Sequence, residues 1–200
     1  MRNRGFTLVE MAITLTVLGL MLMLAMPTIG VWISNARIRN ATEAIQTGLQ
    51  TARLEAVRRN QSVSFYLVSL TDANVMDNSC ALSSSSGSWV ISTSSPAGKC
   101  AGAAALASRA IGDAGGQVRV TAGHSTDTTN KTTVGSSATT VTFNGFGRIA
   151  NTDTAVNRIK VTGPTDGVNY VNLMLIVDSG GGVRMCDPRS SIADTDPRKC

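Results

Sequence analysis

The sequence predicts an α+β fold, a long amino-terminal helix packed on a small antiparallel β-rich head, from three observations. Residues 11–36 contain no charged side chain, and residues 34–60 place apolar side chains at three- and four-residue steps. From residue 62 the pattern changes to short β-branched runs between turn-forming segments. The 200 residues suffice for one ordinary domain with something attached. Hydrophobic residues make up 42% and charged residues 16%, against roughly 25% charge in soluble proteins, which excludes a polar disordered chain. Aromatic residues are only 4%, so stacking platforms for single-stranded nucleic acid are few. The formal charge of +5 leaves nucleic acid, an acidic membrane surface or a topology signal as its meaning.

The first element begins behind a short basic leader, residues 1–5, which read Met-Arg-Asn-Arg-Gly. Residues 6–33 form an apolar run longer than the ~20 helical residues that cross ~30 Å of hydrocarbon, which predicts a transmembrane helix. Arg2 and Arg4 stay on the cytoplasmic side under the positive-inside rule, so the rest of the chain crosses the membrane. A secretory signal would show a shorter apolar region and a small-residue cleavage site after it, which Pro27-Thr28-Ile29-Gly30 does not provide. Glu10 lies inside the apolar run, where an ionised carboxylate costs about 2.5–3.5 kcal/mol and needs a partner. Pro27 has no N–H and predicts a kink.

Beyond the span, residues 34–60 form an amphipathic stem. Ile38, Ala41, Ile45, Leu49, Ala52 and Ala56 make one stripe, with Arg37, Arg39, Glu43, Arg53, Glu55, Arg58 and Arg59 mostly off it. The stripe docks on a head formed by residues 61–200, and the helix ends near Asn60. Strands are expected at 62–68, 88–93, 117–122, 139–143, 158–162, 170–178 and 182–186, mostly in antiparallel pairs. Asn144-Gly145 and Gly115-Gly116 suggest hairpin turns with consecutive positive φ values. The Ser-rich stretch 83–95 and the Ala/Gly-rich stretch 97–116 read as loops or insertions, with one short helix at 103–111.

Export of the head into an oxidising compartment makes the even cysteine count a sign of bridges. Three connectivities exist; Cys80–Cys100 and Cys186–Cys200 are favoured, because each encloses a nearby loop of small and turn-forming residues. A metal site is not expected, since no C-x-x-C occurs and His124 is the sole histidine. No cofactor and no catalytic residue is expected either. The chain lacks a nucleophile elbow and H-E-x-x-H, and no Lys follows Gly180-Gly181-Gly182 to make a phosphate loop. That triplet reads as a tight turn, His124 as an exposed loop residue, and Asp153, Asp166 and Asp178 as turn residues.

Gly5-Phe6-Thr7-Leu8-Val9-Glu10, between a basic leader and an apolar helix, resembles the class III signal of type IV prepilins and type II secretion pseudopilins. The resemblance implies cleavage by a prepilin peptidase between Gly5 and Phe6, N-methylation of Phe6, and pairing of Glu10 with the free amine of a neighbouring subunit. Gly19 and Pro27 match positions between which the helix of some filament subunits loosens on assembly. Residues 49–60, LQTARLEAVRRN, and the hairpin 141–148, VTFNGFGR, are similar to FimT/FimU minor pilins and the minor pseudopilin GspH. The implied fold is pilin-like, a long helix on a β-sandwich-like head of two small sheets.

The function implied is that of a minor type IV pilin at or near the pilus tip that supports assembly. A GspH-type minor pseudopilin of a type II secretion system is the alternative, and neither is an enzyme. The expected partners are the peptidase, other major and minor pilins or pseudopilins, and the inner membrane, with the head in the periplasm before assembly. Some FimT-like pilins are receptors for double-stranded DNA and use a basic carboxy-terminal region. Arg184, Arg189, Arg198 and Lys199 are the corresponding candidates here, in a tail that also holds Asp187, Asp194 and Asp196. Gly147-Arg148-Ile149-Ala150 lacks the second Arg of the Gly-Arg-x-Arg pattern of such binders. Residues 1–59 hold seven Arg against three Glu, +4, and residues 60–200 hold eleven Lys and Arg against ten Asp, +1. The basic excess therefore belongs mainly to the topology signal and the stem.

Overall fold

The computed structural model describes residues 7–112, 117–165, 170–193 and 195–200, with the side chains of 24–28 also outside the description. One helix, α1 (Leu8–Arg59), runs for 52 residues, about 78 Å at 1.5 Å per residue. The Thr7 hydroxyl caps it by accepting from the Glu10 N–H at 3.2 Å, while a Glu10 carboxylate oxygen accepts from the Thr7 N–H at 3.4 Å. At the other end Asn60 takes the left-handed conformation, φ 49°, and its N–H reaches the carbonyls of Ala56 and Val57. Glu55 accepts from Arg58 at 2.7 Å and Arg59 at 2.9 Å in the last turn. Hydrogen bonds from Arg59 and then Arg58 hold its carboxyl below the usual carboxylate range. The helix is unbroken through Pro27 and Gly30.

The head is two antiparallel sheets. The first contains β1 (Val63–Ser69), β2 (Ala81–Leu82), β3 (Ser88–Ser92), β4 (Ala105–Arg109) and β7 (Thr140–Phe143). Its order is β2-β1-β3-β4, with β7 beside β2 on the free side of β1. The second contains β5 (Arg119–His124), β6 (Ser136–Ser137), β8 (Arg158–Thr162), β9 (Leu173–Val177) and β10 (Val183–Cys186), in the order β10-β9-β8-β5-β6. Both sheets turn one face to α1. Ile38, Ile45, Leu49, Ala52 and Ala56 are fully buried against Phe65, Ile91, Phe143, Ile159 and Leu175 in one core. Small residues in the stripe bring the backbones close. A Cβ on Gly48 would sit 2.7 Å from the Trp89 ring and 2.8 Å from the Phe65 ring.

Alternate residues of β1 and β3 serve a second cluster on the far side of the first sheet. Tyr66, Val68 and Val90 pack there with Cys80 and Cys100, which form a disulfide. The bridge thus pins the segments around Cys80 and Cys100 over that face.

Several local expectations change. Residues 103–111 hold β4 rather than a helix; the pattern A-L-A-S-R suits either element, and backbone pairing with Val90 and Ile91 of β3 decides it. Within the Ser-rich stretch the strand expected at 88–93 is present as β3, buried along its whole length. Asn144 does not take positive φ, and Asn60 is the one non-glycine that does among the described residues. Instead the Asn144 side chain accepts from the N–H groups of Phe146 and Arg148, and Gly147 supplies the positive φ, 73°. His124 ends β5, half-buried, with Nδ1 2.8 Å from the Ala155 carbonyl, and is not an exposed loop residue. The two-residue strands β2 and β6 had no sequence signal. The turn expected at Gly115-Gly116 and Asp166 lie outside the described residues.

Candidate functional site

The residues singled out by sequence fall at two places, the amino-terminal half of α1 and the tail after β10. Every described side chain from Thr7 to Met23 is exposed, including Leu8, Val9, Ile13, Leu18 and Met21. Contact with the head begins at Ser34, which is buried, and at Asn35, whose side-chain oxygen accepts from the Val171 N–H at 2.9 Å. Residues 8–33 therefore project about 39 Å beyond the head. Trp32, 72% exposed, stands at the base of this projection. An apolar surface of this extent marks contact with lipid or with other apolar helices.

Among the described residues no helix is long and apolar enough to cross a membrane. The described side chains stop at 23 and resume at 29, so the expected span 6–33 is not reproduced among them. Gly5 and Phe6 also lie outside the described residues. Glu10 is exposed and bonded to Thr7, a partner on its own chain that the T-x-x-E spacing signals.

At the far end of α1, Arg53 ties the helix to two turns. Its Nε donates to the Gly147 carbonyl at 2.9 Å and its Nη2 to the Gly180 carbonyl at 3.4 Å. Gly181, φ 81°, lies so near Gly147 that a Cβ there would meet its carbonyl oxygen. Asp178 closes the second turn by accepting from the Gly182 N–H at 2.9 Å. The glycine triplet is therefore a tight turn clamped by an arginine.

The tail is closed by a Cys186–Cys200 disulfide. Arg189 grips the buried Asp187 through two nitrogens, at 2.6 and 3.0 Å, and Arg198 grips Asp196 in the same way at 2.7 and 3.0 Å. The Arg198 side chain, then its backbone N–H, lower the Asp196 pKa to about 2. Lys199 donates to the Ile192 carbonyl at 3.0 Å, and Arg184 projects from β10 into solvent. Two of the four tail cations are thus matched by carboxylates two residues away, and Asp194 lies outside the described residues. A cleft of about 370 Å³ separates Arg39 and Glu43 of the stem from Met185, Arg189 and Arg198. Among the described residues no group of three His, Cys, Asp or Glu side chains is placed to hold a metal.

A long helix with an exposed apolar half, docked through its other half on two antiparallel sheets, defines a pilin-like subunit. The first 26 residues match the prokaryotic N-terminal methylation motif. Residues 41–181 match the family described as Type II transport protein GspH, and the chain belongs to that family. No curated protein matches the chain. Two crystal structures of the type IV minor pilin FimU of Pseudomonas aeruginosa are similar to it. One is 16% identical with a TM-score of 0.45, covering 78% of this chain and 97% of FimU. The other is 17% identical with a TM-score of 0.45, covering 79% and 92%.

Proposed function

We propose that this chain is a minor type IV pilin, made with residues 1–5 as a leader that a prepilin peptidase removes. Residues 6–33 anchor it in the inner membrane, residues 34–60 are the stem, and the head 61–200 stands in the periplasm. It then enters a filament at or near the tip and supports assembly with other pilins. The observation that carries this reading is the half-helix from Leu8 to Met23, apolar and exposed on every side. Such a helix is stable only in lipid or among its own kind, and the reading supplies both in turn. Glu10 is held by Thr7 in the single subunit, and on filament entry it turns to the Phe6 amine of a neighbour. A minor pseudopilin of a type II secretion system is the second reading, favoured by the family match over residues 41–181.

Mass spectrometry of the membrane-extracted protein tests the processing step. A chain that begins at methylated Phe6 is expected, and one that keeps residues 1–5 overturns the reading. Glu10→Ala is expected to insert in the membrane yet stay out of filaments. Recovery in sheared surface pili supports the pilus, and recovery in a periplasmic pseudopilus the secretion system. For DNA, Arg189 and Arg198 of the tail are already committed to their own carboxylates.

A further inference from the structure

One line of α1, where the projecting half-helix meets the head, joins an exposed indole to an unmatched cation. Trp32, 72% exposed, and Arg39, also exposed, are seven residues apart, two turns of helix, so they share a face about 10 Å apart along the axis. Ala36 stands between them on that face, and its methyl leaves room that a longer side chain would fill. Arg37 lies on the opposite flank, two residues being about 200° of rotation.

The charge of Arg39 is not spent inside the subunit. Residues 11–42 contain no Asp or Glu, and Arg39 has no hydrogen bond or ion pair among the described residues. The cleft between stem and tail leaves it open on the side it shares with Trp32. The carboxylates of the tail beside that cleft are taken, Asp187 by Arg189 and Asp196 by Arg198. Glu43 is the other acid of the cleft; it lies one turn farther from the projecting half-helix and makes no ion pair with Arg39.

Position along the helix narrows the partner. Under the anchoring proposed above, with Leu8 at one edge of a ~30 Å hydrocarbon core, the other edge falls about 20 residues later, near residue 28. Headgroups fill roughly the next 5–7 Å. Trp32 lies about 6 Å past the core, in the layer where indoles concentrate. The Arg39 backbone lies about 16 Å past the core, within one screening length of that layer at ~8–10 Å. Helical side chains lean toward the amino terminus, so its long stem carries the guanidinium back toward the phosphates. Glu43 lies about 6 Å farther out, and a bilayer surface therefore meets the cation first. Apolar surface and positive charge thus follow one another in the order in which a phospholipid presents its chains and its phosphate. We propose that Trp32 and Arg39 form a site for one anionic phospholipid of the leaflet facing the head, its phosphate paired with Arg39 and its chains beside Trp32. Arg37 holds no part of that lipid. This inference rests on the membrane anchoring proposed above and adds to it a choice of headgroup.

The test reconstitutes the full-length protein in phosphatidylcholine bilayers that contain either brominated phosphatidylglycerol or brominated phosphatidylcholine, and compares the quenching of tryptophan fluorescence. Trp32 reports contact, while Trp89, 6% exposed in the head, gives a constant background. One cation close to an anionic surface corresponds to about fivefold in preference, so brominated phosphatidylglycerol is expected to quench Trp32 with about fivefold higher apparent affinity at ~0.1 M salt. Arg39→Gln is expected to bring the two lipids near parity, Arg39→Lys to keep the preference, and Arg37→Gln to leave most of it. Near-UV circular dichroism checks that each variant remains folded. Equal quenching by the two lipids overturns the proposal and leaves the anchoring intact, whereas quenching by neither overturns both. A preference that survives Arg39→Gln, or that falls equally in Arg37→Gln, overturns it as well. So does removal of the preference by inorganic phosphate or by polyglutamate at constant ionic strength, since each names a soluble anion as the occupant.

Discussion

Gly48 sits where α1 crosses the first sheet, and substitution there sets two known effects against each other. Gly48→Ala inside a helix gains about 1 kcal/mol from backbone propensity. The new Cβ would lie 2.7 Å from Trp89 Cε2, 2.8 Å from Phe65 Cε2 and 2.9 Å from Trp89 Cδ2. The contacts are short by about 0.6–0.8 Å of a normal carbon separation of ~3.5 Å. The two rings are buried, with centroids 5.8 Å apart, so neither swings aside freely. Overpacking of this kind costs about 1–3 kcal/mol, and two rigid rings place the cost near 3. The net expectation is destabilisation by about 2 kcal/mol, a fall of roughly 4–8 °C in the midpoint for a domain of this size. Thermal unfolding followed by near-UV circular dichroism measures it. A cycle with Trp89→Leu separates the terms, because trimming the indole removes two of the three short contacts, leaving the one to Phe65 and the propensity gain, so the cost should fall in that background. Stabilisation by Gly48→Ala in the unaltered background, or equal cost in both backgrounds, refutes the steric argument.

Two further outcomes are expected. Asp196 has its pKa lowered from 3.8 to about 2, so the stability it lends the tail is present above pH 3.8 and is lost as pH falls towards 2. Hydrogen exchange of the Arg198 N–H across that window reads the loss, and Asp196→Asn should remove the pH dependence. Arg53→Ala should cost about 2 kcal/mol, since two carbonyls lose a charged donor. Denaturant unfolding gives the cost, with exchange rising first in the 144–148 and 178–182 turns.

The stem was legible because burial imposes a period: Ile38, Ala41, Ile45, Leu49, Ala52 and Ala56 are all buried. Most strands were found within a few residues, since turn chemistry brackets them. The element at 105–109 escaped because A-L-A-S-R carries no local preference and gains its identity from β3. Asn144-Gly145 suggested a hairpin turn by dipeptide, but Gly147 carries the positive φ and the Asn144 side chain bonds the turn. The capping partnership of Thr7 and Glu10 is readable as T-x-x-E, although a carboxylate inside an apolar run points first to a partner on another subunit. For the candidate sites, spacing along the tail showed the cations but not that their neighbours neutralise two of them.

The clamp at Arg53 also sets an order of events as the chain is made. Its two acceptors lie 94 and 127 residues later in sequence. The stem stripe therefore emerges first and waits, partly covered once β1 and β3 follow, and sealed only when the β9–β10 turn arrives. Until then the growing chain presents an apolar helix with an unfinished head, and a chain cut short before residue 180 lacks the acceptor that closes it. Completion of the last hairpin, rather than formation of the helix, is the step after which the subunit is ready to be handed on.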